Sequence, residues 1–189
     1  MVYTIAFVVF ERGEIGLPEP KLAACPSALT PWYGHVLRVR YQETDSMRVV
    51  FHGNYVTWFE VGRTEWIRSL GINYKDLETE GLLLPVTDLQ VSYKQPAVYD
   101  DQVAVYTRLQ DCSPIRMAFQ SVVCRVQQSL ADELSGNGWI SEPTGELLVQ
   151  GGTTHAWVNG DWHLTRFDRA QPDIWKLLQE LKALPATSS

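Results

Sequence analysis

Hydrophobic and polar positions change period twice along this chain, and those changes outline the fold. From His35, Leu37, Val39 and Tyr41 alternate with Val36, Arg38 and Arg40, the period of two expected for a strand. Over Asn54 to Leu70 the period lengthens: Tyr55, Phe59, Gly62, Trp66 and Leu70 recur at three- and four-residue steps, one stripe of a helix about 17 residues long. Asn54 suits the N-cap, because its side-chain oxygen accepts a free backbone N–H, and Gly71 suits a left-handed C-terminal cap. So many aromatic residues on one helix predict a helix wrapped by a sheet.

Strand patterning then resumes. Thr87, Leu89, Val91 and Tyr93 alternate with Asp88, Gln90, Ser92 and Lys94, and the Tyr99-Asp100-Asp101 segment predicts the turn that ends this strand. Asp101 is expected to fix that turn. Val103 to Leu109 and Met117 to Val126 predict two further strands, and residues 129–144 read as a long polar hairpin connection. A last strand or bent pair is expected over 146–164, broken at Asn159-Gly160. A C-terminal helix is expected from Pro172 to about 181–183, with Ile174, Leu177, Leu178 and Leu181 on its apolar face. One long helix followed by a strand meander predicts an α+β fold with the helix on one sheet face.

Pro18, Pro20, Pro26 and Pro31 set residues 1–33 apart as an N-terminal extension, so 34–189 is expected to form one domain starting near Trp32. The apolar run within MVYTIAFVVF is too short for a membrane span and lacks the basic residues and cleavage site of a secretory signal. A net charge of −6 argues against a general nucleic-acid binder, while leaving room for a local basic patch that meets a few phosphates. The odd set of Cys25, Cys112 and Cys124 predicts a reduced, cytoplasmic protein without a disulfide framework. Neither the cysteines nor His155 and His163 show metal-ligand spacing, so no metal is expected.

The segment between the first strand and the long helix carries the chemistry. Asp45 follows the strand closely, and the first N–H groups of the helix, from about His52 to Tyr55, are unpaired donors carrying partial positive charge. Such donors suit the oxyanion formed when a thioester carbonyl is attacked, and a nearby carboxylate suits direct attack or activation of a water. From the residues alone, Asp45 reads first as a capping or turn residue, with the catalytic role left open beside it.

The run RVRYQETDSMRVVFHGNYVTWFEVGRTEWIRSLGINY, with VSYKQPAVYDDQVAVYTRL behind it, resembles the 4-hydroxybenzoyl-CoA thioesterase family in its YbgC-like acyl-CoA thioesterase branch. Thr-Asp, a short loop, an apolar pair, an aromatic-His step and Asn-Tyr opening a helix are the features that carry it. The resemblance runs from about His35 to Trp157. It implies a hotdog fold of five or six antiparallel strands around one long helix, an acyl-CoA thioester as substrate without a further cofactor, and a homo-oligomer, dimer or tetramer, with sites at the subunit interface. It also implies Asp45 as the catalytic carboxylate and the His52 backbone N–H as oxyanion donor, with Gly53 keeping the backbone uncrowded there. Where the family usually has Gly, this chain has Arg48, which would be strained at positive φ and would bring a cation near Asp45. Phe51 stands in place of the usual Tyr.

Asn54, Tyr55, Trp58 and Phe59 are candidate substrate contacts, with Tyr55 and Trp58 suited to core or acyl-pocket walls. Arg48, Lys94 and Arg116 are candidate partners for the phosphates of CoA. Glu60, which with Arg63 suits a simple helix ion pair, is a reserve catalytic acid, because some hotdog thioesterases place theirs on this helix. Two other readings stay open: a hotdog hydratase or dehydratase pairing Asp45 with His52, and a non-catalytic acyl-CoA-binding module.

Overall fold

The computed structural model describes residues 2–4 and 30–183. Cys25, Pro18, Pro20, Pro26 and most of the apolar N-terminal run fall outside them. Strands β1 (Val2–Thr4), β2 (Trp32–Arg38), β3 (Val86–Tyr93), β4 (Gln102–Ser113), β5 (Arg116–Arg125), β6 (Trp139–Ile140) and β7 (Glu146–Ala156) form one sheet. All its pairings are antiparallel, in the order β1-β3-β7-β5-β4-β2-β6. The five long strands β2, β3, β4, β5 and β7 are the expected set. Helix α1 (Asn54–Ser69) lies on their inner face against β4, β2, β5 and β7, the arrangement expected from the helical stripe.

Burial follows the patterning. Tyr55, Phe59, Gly62 and Trp66 of the stripe are buried, as are Leu89 and Val91 of β3, while Gln90 and Ser92 are half-exposed on the outer face. Gly71 closes the helix at φ +79° as expected. Gly62 is where the helix comes closest to the sheet: a Cβ there would stand 2.5 Å from Thr107 Oγ1 and 2.7 Å from Val105 Cγ1. Gly62→Ala is therefore expected to destabilise the protein by about 1–2 kcal/mol despite alanine's better helix propensity, as a lower melting temperature would show.

Four parts of the chain depart from the sequence reading. The first strand begins at Trp32, not His35, and ends at Arg38. A short 3-10 turn over Tyr41–Glu43 then leaves Tyr41 78% exposed instead of continuing the inner face with Val39. Residues 129–144 are not a polar hairpin connection. They hold helix α3 (Gln128–Gly136) and β6, and Ala131 and Leu134 bury against Trp32 and Tyr106 on the outer sheet face. That cover explains why β4 is buried on both faces, where alternation alone predicted one. Helix α2 (Tyr74–Thr79), capped by the Asn73 side chain, was not anticipated, nor was α4 (Phe167–Ala170). The C-terminal helix α5 (Pro172–Ala183) matches its expected span and buries Leu178. Between β7 and α4, Val158 pairs with Leu164 around the Asn159-Gly160 turn.

Candidate active site

The loop that carries Asp45 is built by Glu43. This carboxylate is buried, with its side chain 7% exposed, and it accepts the Arg40 backbone N–H at 2.7 Å, the Arg40 guanidinium at 3.0 Å and the Trp58 indole N–H at 3.1 Å. Its backbone carbonyl accepts the Asn54 side-chain amide at 2.7 Å and the Phe51 N–H at 2.9 Å. Strand end, loop and helix start are thus tied to one residue. Burial works against the Glu43 charge, but the hydrogen bonds from Arg40 and Trp58 outweigh it and hold the carboxyl below its usual range. Sequence reasoning missed Glu43, and the available signal was a carboxylate three residues after Arg40 and two before Asp45.

From there the chain makes a tight turn. Thr44 bridges Val50, the Asp45 N–H donates to the Val49 carbonyl, and the Arg48 N–H donates to the Asp45 carbonyl. Asp45 Oδ1 accepts the Met47 N–H at 2.8 Å, and its second oxygen has no partner among the described residues. Arg48 occupies the left-handed region at φ +62°, the strain expected where glycine is usual. No ion pair joins it to Asp45 among the described residues. Arg48→Gly is expected to raise stability by about 1 kcal/mol, measurable as a higher melting temperature.

Helix α1 begins at Asn54, whose side chain is turned back to Glu43, so Gly53 and not Asn54 is the N-cap. This corrects the capping role expected of Asn54, because its amide is drawn to the Glu43 carbonyl. The N–H groups of His52 and Gly53 donate to no acceptor among the described residues, while the His52 carbonyl accepts the Tyr93 hydroxyl at 3.0 Å. A cleft of about 220 Å³ opens beside them, lined by His52, Tyr55, Tyr93, Lys94 and Pro96. Tyr55 is buried, its hydroxyl accepting the Ala97 N–H, and burial raises its pKa. Lys94 lines this cleft as well.

The remaining candidates separate. Trp58 is 2% exposed with its indole committed to Glu43, so it is core and loop anchor together. Phe59 and Glu60 line a second cleft farther along α1, and Glu60 makes no ion pair with Arg63. Arg116 opens β5 opposite Ala156, beside the Val86 end of β3, whereas Val123 and Val149 stand level with Tyr93. Seven strand residues separate those levels, about 23 Å, so Arg116 does not join Lys94 at the helix mouth. Arg125 is at the correct end. It binds Asp101, Glu146 and the Pro96 carbonyl and braces the segment whose Ala97 carbonyl accepts the Val50 N–H. Asp101 also accepts the Val98 N–H at 2.8 Å, which is its turn-fixing role. Burial pushes the Cys112 thiol up to about 12 and the Cys124 thiol to about 11, so neither is a nucleophile.

Comparison with known proteins decides the family. The thioesterase superfamily profile matches residues 47–130, from just after Asp45 through α1, β3, β4 and β5. The Bacillus subtilis protein YneP is 34% identical over 139 residues, covering 72% of this chain and 88% of its own. The chain belongs to the thioesterase superfamily. The acyl-CoA thioester hydrolase YbgC of Escherichia coli is 29% identical over 97 residues, covering 51% of this chain and 72% of its own. Among solved structures, a DHNA-CoA thioesterase from Staphylococcus aureus superposes with a TM-score of 0.70 at 33% identity, covering 81% of this chain and 92% of that one. The fold is the hotdog fold of these thioesterases, and the chain is a thioester hydrolase. No described helix is long and apolar enough to cross a membrane.

Proposed function

We propose that this thioesterase hydrolyses an acyl-CoA to CoA and a free carboxylic acid, with Asp45 as its carboxylate and the His52 and Gly53 amides as oxyanion donors. The observation that carries this is the pairing of two unengaged amides at the start of α1 with an aspartate in the preceding turn whose second oxygen is free. With the thioester carbonyl oxygen on those amides, negative charge developing on it meets donors that need no reorganisation. Asp45 then takes a proton from water as the oxygen attacks the carbonyl carbon. Collapse of the tetrahedral intermediate breaks the C–S bond, and the proton passes from Asp45 to the departing thiolate. The same balance is reached if Asp45 attacks first and water opens the mixed anhydride. Gly53 leaves space for the carbonyl to approach, and Lys94 and Arg48 offer cations to the CoA phosphates. The CoA thioester is the substrate, and the chemistry calls for no other cofactor.

The turn is rimmed by exposed apolar side chains: Tyr41 and Met47 above 75% exposed, Tyr99 at 58%, Phe51 at 48%. An apolar rim beside a catalytic carboxylate supports a second copy of the chain covering it, so the working form is a homo-oligomer. Buried free thiols at Cys112 and Cys124 suit a reducing cytoplasm. The test is thiol release across aromatic and aliphatic acyl-CoAs, run beside enoyl-CoA hydration. Release of CoA is expected. Hydration without release would favour the hydratase reading, and tight acyl-CoA binding with neither would favour a binding module.

A further inference from the structure

The two amides at the start of α1 belong to successive peptide units, and each unit is held by its opposite end. In a trans peptide the C=O and N–H point in opposite directions, so a bond to one sets where the other points. The unit that carries the His52 N–H ends in the Phe51 carbonyl, which accepts the Asn54 N–H at 2.9 Å within the same turn. The unit that carries the Gly53 N–H ends in the His52 carbonyl. Its partner comes from outside the loop: the Tyr93 hydroxyl donates to it at 3.0 Å, from 41 residues farther along the chain.

The second unit is the one in need of a brace. Turning it over changes ψ of His52 and φ of Gly53, and reverses the direction of the Gly53 N–H. Gly53 sits at φ −65°, but without a Cβ it accepts positive φ at little cost. The feature that leaves room for a substrate carbonyl therefore also makes this peptide easy to flip. Only the unflipped orientation offers its carbonyl to Tyr93. The Phe51–His52 unit lacks that weakness, because a flip there would force His52, which has a Cβ, to positive φ.

Tyr93 suits the task because it is itself firmly held. It ends β3 in register with Val149 of β7, and the following Lys94 N–H donates to the Leu148 carbonyl at 2.8 Å. Its ring packs edge-on against Tyr55, 5.6 Å between centroids, and Tyr55 is fixed in turn by accepting the Ala97 N–H at 2.8 Å. The same ring walls the cleft beside His52. A hydrogen bond donated to a peptide carbonyl also polarises the whole unit, which makes its N–H a stronger donor.

We propose that Tyr93 is a positioning residue for hydrolysis, whose hydroxyl holds the His52–Gly53 peptide so that the Gly53 N–H stays aimed at the developing oxyanion. This rests on the oxyanion reading above and adds to it the residue that keeps one donor in place.

The experiment compares wild type with Tyr93→Phe, which loses only the hydroxyl, and Tyr93→p-aminophenylalanine, which restores a donor. Benzoyl-CoA and octanoyl-CoA are the substrates. Tyr93→Phe is expected to lower kcat by roughly 10-fold with KM nearly unchanged, a part of what removing an oxyanion donor outright costs. The p-amino variant should recover most of that loss. Melting temperatures check folding, and Tyr93→p-methylphenylalanine, which fills the space of the hydroxyl, stands in if the phenylalanine form is unstable. In parallel, ketone analogues of both substrates, with a methylene in place of sulfur and carbon-13 at the carbonyl, are bound and their C=O stretch is read by infrared difference spectroscopy. Wild type should move the stretch to lower frequency, and Tyr93→Phe should give back part of that shift. This arm needs no turnover, so a shift that depends on the Tyr93 hydroxyl upholds the inference even if neither thioester is hydrolysed. No shift in wild type removes the oxyanion donors, and this inference with them. A full shift in Tyr93→Phe, or a kcat loss without a change in the shift, overturns the role of Tyr93 alone.

Discussion

Asp45→Asn is expected to lower kcat for thioester hydrolysis by about 10²- to 10⁴-fold while leaving the fold intact. Asparagine keeps the side-chain oxygen that accepts the Met47 N–H at 2.8 Å, so the turn from Asp45 to Val49 retains its hydrogen bonds. What disappears is the second, unengaged oxygen with its negative charge, the group that takes a proton from water or attacks the thioester. Both chemical routes fail together, so the outcome does not depend on which one operates. Two measurements are needed: thiol release on the best acyl-CoA from the screen, and a melting temperature within a few degrees of wild type. Near-full activity in a folded Asp45→Asn protein would remove Asp45 from the reaction.

Glu43→Ala is the largest expected effect on stability, about 3 kcal/mol. The side chain is 7% exposed and satisfies the Trp58 indole N–H, which is buried beneath it, and the Arg40 backbone N–H. Removing it leaves those donors without partners and opens a void beside Trp58. It also loosens the loop that positions Asp45, so activity should fall along with the midpoint of chemical denaturation. Glu43→Gln, which keeps the volume and part of the hydrogen bonding, should cost less.

The pH dependence follows from the same network. The folded-state pKa of Glu43 lies below the ordinary glutamate value of about 4.3. A lowered carboxylate pKa contributes stability that is fully present above the unfolded value and is lost as pH falls through the folded one. Wild type should therefore lose stability more steeply than Glu43→Gln as the pH drops below about 4.3. Parallel acid-unfolding curves for the two proteins would show that Glu43 contributes no such term.

Much of this molecule was legible along the chain because its cause is local. The α1 stripe of Tyr55, Phe59, Gly62 and Trp66 and the alternation of β3 each follow from a residue's position relative to neighbours three or two places away. Helix α3 was misread for the opposite reason. Its Ala131 and Leu134 find a partner only in Trp32 and Tyr106, which no local pattern reveals in a stretch otherwise rich in polar residues. Arg116 looked like a companion of Lys94 because both are cations on or beside expected strands, but strand register places them at opposite ends of the sheet.

By itself the sequence determined the order of the five long strands with α1 and α5, the family resemblance, and Asp45 seven residues ahead of His52 at the start of an aromatic helix. These are properties of spacing, and spacing is written in the chain. Only the tertiary structure decided that Glu43 holds the loop, that Asn54 turns back to it instead of capping the helix, and that Arg63 lines one cleft with Thr153 and His155. Those relations join residues up to about ninety positions apart, and they depend on which side chains share a buried space. Burial fixes which hydrogen bonds must be made, and a linear pattern carries no record of that space.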